Sequence, residues 1–270
     1  MLKEIFAVSN FPYLQQGSNN YFGDKFATLL KSYGLVFLGL LFIAAPVTAI
    51  TDSFVVHILH YKSIKNLSNI SIKEMLHKTG YVFGLTYVCL IGPVLEETVF
   101  RLPLSFKRTP VIIGLSLATF LILVLIPGAK NPHSDLAAYL FITKLAVAIG
   151  TFFVLKKFLP VDINLSKKIK TVLIIISICL FGLMHISNYS PIQWPIIWIY
   201  PVFVLPQLIM GLLITFVRFK NGFIWGIALH CMINSIAMAF AVGHDQQIKA
   251  KPVHAITKQA KKDTDSVGRK

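Results

Sequence analysis

The chain of 270 residues is 55% hydrophobic and only 14% charged, with 26 Lys and Arg against 11 Asp and Glu and a mean hydropathy of +0.70. A soluble domain carries roughly 25% charged residues, so the composition excludes an ordinary soluble fold and implies an all-α, polytopic membrane bundle in contact with the lipid bilayer. Most of the net charge of +15 lies in short segments between apolar runs and in the tail, as suits anionic lipid; with no basic stripe interleaved with exposed aromatics, nucleic acid is excluded as a partner.

In chain order, residues 1–33 are mixed and read as an N-terminal surface segment. The first apolar run, 34–59, contains Pro46 and, near its end, Asp52 and His57, which read as interfacial polar groups rather than buried ligands. The basic stretch 60–79 includes 70–78, whose pattern suits a short amphipathic helix on the membrane surface. A second run spans 80–104 and a third 111–126, stopped by Pro127-Gly128. The fourth, 136–155, holds Lys144, which either reaches a carboxylate or snorkels. After a lysine-rich loop at 156–170 comes the fifth run, 171–186. The sixth, 196–217, carries Pro201 and Pro206, so a kink is expected there. The seventh, 223–242, holds His230 and Asn234. The expectation is a bundle of about seven to eight transmembrane helices over 34–242, followed by a basic disordered tail at 243–270.

The three cysteines, Cys89, Cys179 and Cys231, all fall inside apolar runs and form no CxxC pair, which argues against a disulfide framework or a cysteine zinc site. No basic n-region leads directly into an apolar core, so the first span is expected to act as the insertion signal in place of a cleaved peptide. Orientation stays open. The segments 62–78, 107–110, 156–170 and 218–222 are all basic, and the positive-inside rule would put all four on one side, which seven simple spans do not allow.

Ionisable groups at membrane depth are costly, and the second run has three of them: Glu96, Glu97 and Arg101. On a helix Glu97 and Arg101 share a face in the favourable acid-then-base order. Glu96 is turned away from Arg101 by about 140°. Glu97 and Arg101 therefore read as a structural pair, and Glu96 as a freer carboxylate. His185 ends the fifth run, and His230 and Asn234 lie four apart on one face of the seventh. If those helices meet, a central polar catalytic cavity results, and two chemistries fit it. In one, Glu96 is a general base, His185 helps to hold a water, and His230 and Asn234 donate to a tetrahedral oxyanion. In the other, Glu96, His185 and His230 hold a divalent metal such as Zn2+. No HExxH is present to favour the metal. Taken singly, a membrane histidine or asparagine is more often interhelical glue, but the set together favours function.

Three motifs in order on separate spans, Glu96-Glu97-x-x-x-Arg101, Phe181-x-x-x-His185 and His230-x-x-x-Asn234, resemble those of the CPBP intramembrane proteases. That family comprises the type II CAAX prenyl endopeptidases and bacterial relatives linked to bacteriocin processing and self-immunity. The resemblance covers about 80–241, the expected protease core. It implies an integral membrane endopeptidase, in the bacterial plasma membrane if it follows the bacterial relatives. The substrate would be a peptide, a lipidated peptide or a membrane protein. It also implies Glu96 as the catalytic glutamate with His185 as its partner, His230 and Asn234 completing the site, and Glu97 with Arg101 in support. Both metal-dependent and metal-independent chemistry have been described for the family. The alternative is a non-catalytic membrane protein that confers bacteriocin self-immunity or binds a peptide.

Overall fold

A computed structural model describes residues 1–17, 21–126, 135–240 and 242. The turn at Pro127-Gly128 and the tail at 243–270 lie outside them. The described residues form helices and no strand, an all-helical polytopic membrane bundle. Helix α1 (Leu2–Phe6) leads into a 3-10 stretch, Val8–Gly17. Then follow α2 (Phe22–His57) and α3 (Ile64–Thr79), α4 (Tyr81–Phe100), α5 (Arg108–Leu125) and α6 (Asp135–Phe158). Helix α7 (Lys167–Met184) passes into a 3-10 turn, His185–Tyr189. A second 3-10 turn (Trp194–Ile199) and α8 (Tyr200–Phe203) precede α9 (Leu205–Asn221), and α10 (Phe223–Phe240) completes the bundle.

Among the described residues five helices are long and apolar enough to cross a membrane; the bent pair ending in α9 adds a sixth, and α5 is a shorter apolar helix beside them. Their outer faces carry exposed Phe42, Ile50, Val82, Phe153 and Ile224, side chains that only a hydrocarbon surround suits.

Local sequence explains where these helices start, break and turn. Ser63 and Ser166 cap α3 and α7, each hydroxyl accepting from an N–H three residues on, Asn66 at 3.2 Å and Ile169 at 3.3 Å. Asp52 adds to the first cap, its carboxylate accepting from Ser63 Oγ at 2.7 Å and the Ile64 N–H at 2.8 Å. It is thus a helix-capping residue, while His57 is exposed at the end of α2. Both long broken helices carry a π turn just before a proline: Leu40–Ala44 before Pro46 in α2, and Tyr87–Ile91 before Pro93 in α4. A proline ring cannot sit in an unbroken i→i−4 ladder, and one extra residue per turn relieves the clash. The kink expected at Pro201 and Pro206 is a 40° bend between Trp194–Phe203 and α9. Gly80 (φ 80°) and Gly222 (φ 111°) make the tight reversals into α4 and α10, in a region that disfavours residues with a Cβ.

The N-terminal stretch differs from its sequence reading. The first long helix begins at Phe22 instead of residue 34. Phe11 is fully buried, its ring 5.9 Å from that of Phe216 and 6.0 Å from that of Phe219. Lys220 Nζ is 2.8 Å from Glu4 Oε2, and Lys167 Nζ donates to Asn10 Oδ1 at 2.8 Å. Arg108 Nη2 donates to the Lys156 carbonyl. Residues 1–17, 21–25, 107–110, 156–170 and 218–222 therefore gather at one end of the bundle. At the other end Gln193 bonds both the N–H and the carbonyl of Lys62, at 3.0 and 2.8 Å, and α3 packs on the turn His185–Tyr189. Three of the four basic segments share an end, and 62–78 lies at the opposite one.

Candidate active site

Helix α4 continues by one bond past Phe100, the Arg101 N–H donating to the Glu97 carbonyl at 2.9 Å. This holds Glu97 and Arg101 on one face, and Arg101 Nη1 lies 3.3 Å from Glu97 Oε1 with both side chains wholly buried. An ion pair in such a place tolerates the loss of neither partner. The same oxygen, Glu97 Oε1, accepts the Nδ1–H of His230 at 3.0 Å. Glu97 thus serves two helices at once, which its spacing to Arg101 alone did not reveal.

Glu96 points to the other side. Its Oε2 stands 3.8 Å from His185 Nε2 and 3.7 Å from His230 Nε2, each beyond a direct hydrogen bond. Glu96 remains 23% exposed and His185 16%, whereas His230 is 1% exposed. His185 donates its Nδ1–H to the Phe181 carbonyl at 2.7 Å, one turn back in α7. Both imidazoles therefore commit Nδ1 elsewhere and turn Nε2 toward one carboxylate oxygen. Glu96, His185 and His230, read from three separate runs, are neighbours in space.

The donor types of that trio are those of a His2Glu metal site, and each Nδ1 has the outer partner that such ligands use. The arrangement is another matter: among the described residues no group of three or more His, Cys, Asp or Glu is placed to hold a metal ion. All three cysteines are free.

Asn234 lies one helical turn beyond His230 in α10, and its side chain has a partner of its own. Nδ2 donates to the Val88 carbonyl at 2.9 Å, inside the π turn of α4. Among the described residues Lys144 has a carbonyl and not a carboxylate as its partner: Nζ donates to the Ile126 carbonyl at 2.8 Å.

Close packing brings the helices together. A Cβ on Gly182 would stand 2.5 Å from Leu208 Cδ2, and one on Gly211 would stand 3.0 Å from Phe181 Cδ1 and 3.1 Å from Arg101 Nη2. Small residues at these crossings let backbones approach within the membrane. Ser177 Oγ adds a bond to the Phe100 carbonyl at 2.5 Å, tying α7 to α4. Two contributors escaped the sequence reading. Phe181 was only a letter of a motif, yet it is fully buried between Arg101 and the two histidines. Arg218 was counted with a basic turn, yet it is buried at the end of α9, with Nη1 3.4 Å from the Leu104 carbonyl. Its signal was the long buried face of α9 running up to it.

Compared with known families, residues 78–236 match the model of type II CAAX prenyl endopeptidase Rce1-like proteins, more than half of the chain. The chain belongs to this family. Every residue placed around Glu96 lies inside the match. Membership makes the chain an integral membrane protein with a protease kind of function of the CAAX type, acting on a peptide or protein substrate in a membrane setting. Comparison with curated proteins and with solved structures finds no match.

Proposed function

We propose that the chain is an intramembrane endopeptidase in which Glu96 activates the attacking water. The observation that carries this is the placement of Glu96 Oε2 under 4 Å from both Nε2 atoms, inside an apolar bundle where a carboxylate has no ordinary reason to be. A water between these groups donates one hydrogen to Glu96 Oε2. The other goes to His185 Nε2, which is an acceptor because its Nδ1–H is given to Phe181.

As the water oxygen bonds to the scissile carbonyl carbon, its proton passes to Glu96, and the carbonyl π electrons move onto oxygen. A proton on His230 Nε2 donates to that oxyanion, with Glu97 at Nδ1 as counter-charge. The second N–H of Asn234 Nδ2 supplies another donor. Glu96 then returns its proton to the leaving amine as the C–N bond breaks, so the sum is one water added across one peptide bond. No step needs a metal, although Glu96, His185 and His230 remain the residues that a divalent ion would take.

The substrate class is a peptide, a lipidated peptide or a membrane protein, and the bacterial plasma membrane is the proposed location. The test is cleavage of a quenched, prenylated CAAX peptide and of candidate membrane proteins by purified protein in vesicles. Glu96→Ala and His185→Ala should each lower the rate by roughly 10²-fold or more while inserting normally. Full activity in either variant would sink the mechanism, and loss of activity with a chelator would restore the metal. A self-immunity phenotype that survives Glu96→Ala would point instead to a non-catalytic binder.

A further inference from the structure

We infer that Glu97 is a positioning residue for His230 as well as the ion-pair partner of Arg101. The inference rests on the roles proposed above for Glu96 and His230. An ion-pair partner for Arg101 needs only to reach its guanidinium. Glu97 instead offers the same oxygen, Oε1, to His230 Nδ1 at 3.0 Å and to Arg101 Nη1 at the longer 3.3 Å. Glu97 is wholly buried and His230 is 1% exposed, so no bulk water competes for either ring nitrogen.

An imidazole in that position has two neutral tautomers and two flipped orientations. A carboxylate at Nδ1 fixes a proton on that nitrogen and turns Nε2 toward Glu96, where it stands at 3.7 Å; a second proton, on Nε2, makes the imidazolium that donates to the oxyanion. His185 reaches the same presentation through a different partner, the Phe181 carbonyl at 2.7 Å. The difference matters chemically. A carbonyl fixes a tautomer, whereas a carboxylate also balances an imidazolium, which is what the nitrogen opposite a developing oxyanion requires. Arg101, on the next turn of the helix and four residues from Glu97, prevents the carboxylate from rotating away. The pair is thus a mount for His230 and extends across α4 to α10.

The experiment combines cleavage kinetics with imidazole nitrogen NMR on protein carrying ¹⁵N-histidine, reconstituted in phosphatidylcholine–phosphatidylglycerol vesicles. The probe is a quenched prenylated CAAX peptide, and the His230 signal is assigned by its loss in His230→Gln. Glu97→Gln should lower kcat roughly 100-fold or more, with KM changed by less than about threefold. In that variant the His230 ring should lose its doubly protonated imidazolium signature, because the counter-charge at Nδ1 is gone, and with it the Nε2–H that faces the oxyanion. Glu97→Asp should recover part of the rate.

Because Glu97→Gln alone strands a buried cation, the double variant Glu97→Gln/Arg101→Met is the decisive one. It removes the cation that Glu97→Gln alone would strand and should fold. If Glu97 serves only Arg101, the double variant regains the wild-type rate and the inference falls. It falls equally if His230 stays doubly protonated in Glu97→Gln. A wild-type protein that cleaves nothing, with the NMR response as expected, would overturn the protease reading and leave the Glu97–His230 relation standing.

Discussion

The ring of Phe181 lies 3.8 Å from the guanidinium carbon of Arg101. Arg101 is wholly buried and has one carboxylate neighbour at 3.3 Å, so the ring face supplies much of the remaining environment for its charge. The ring also meets His185 at 4.8 Å and His230 at 5.6 Å between centroids. One aromatic side chain thus sits against the cation and against both imidazoles. Phe181→Leu keeps an apolar side chain but removes the π face, and a desolvated cation–π contact is worth about 2 kcal/mol. The variant should melt at lower temperature in micelles and lose activity. An unchanged Tm would show that the ring is only filler.

Gly211 permits that arrangement, since a Cβ there would stand 3.0 Å from Phe181 and 3.1 Å from Arg101. Gly211→Ala should therefore cost about 1–3 kcal/mol by overpacking. It should also lower kcat, because the groups displaced are those that hold the histidines. Thermal unfolding and kcat measured on the same preparation check both effects.

Asn234 links two features that a role as oxyanion donor alone would leave apart. Its Nδ2 holds the Val88 carbonyl at 2.9 Å, and Val88 belongs to the π turn that ends one residue before Gly92 at the start of the segment bearing Glu96. Asn234→Ala should leave that carbonyl without its donor, a loss of about 1–3 kcal/mol, and so loosen α4 as well as slow cleavage. Hydrogen exchange across Tyr87–Ile91 is the discriminating measurement. Faster exchange is expected, and unchanged protection would confine Asn234 to the oxyanion.

What could be read from the sequence divides along the reach of each interaction. Glu97 with Arg101 was legible because an i,i+4 pair is a property of one helix. The kink at Pro201 and Pro206 was legible because a missing N–H is a property of one residue. The second partner of Glu97 was not, for His230 is 133 residues away and only packing brings it near. Arg218 looked like a solvated loop charge because its neighbours Lys220 and Gly222 do lie at a helix end; that its own side chain turns inward depends on the register of α9. The N-terminal segment misled for a related reason. Its mixed composition is that of a surface, but Phe11 finds a slot between Phe216 and Phe219 that no local pattern announces. Phe11→Ala should cost about 3–5 kcal/mol at that end of the bundle, seen as proteolytic nicking within the first 17 residues.

Glu4 gives that same end a pH dependence whose sign can be worked out. The hydrogen bond from Lys220, with further help from its positive charge, holds the Glu4 carboxyl below its ordinary value of 4.5. A group whose folded pKa is depressed stabilises the folded form above its unfolded value, and that contribution disappears as pH falls through the folded pKa. The N-terminal segment should therefore stay docked at pH 7, begin to loosen below pH 4.5, and be weakest once Glu4 is protonated. Glu4 is 42% exposed, so screening keeps the effect small, and salt should reduce it further. The measurement is amide exchange at Ile5 and Phe11 as a function of pH, with Glu4→Gln beside the wild type. In Glu4→Gln the acid-dependent step should vanish and protection at neutral pH should already be lowered. If wild type and variant loosen together at the same pH, another group governs the segment and the Lys220 bond is incidental.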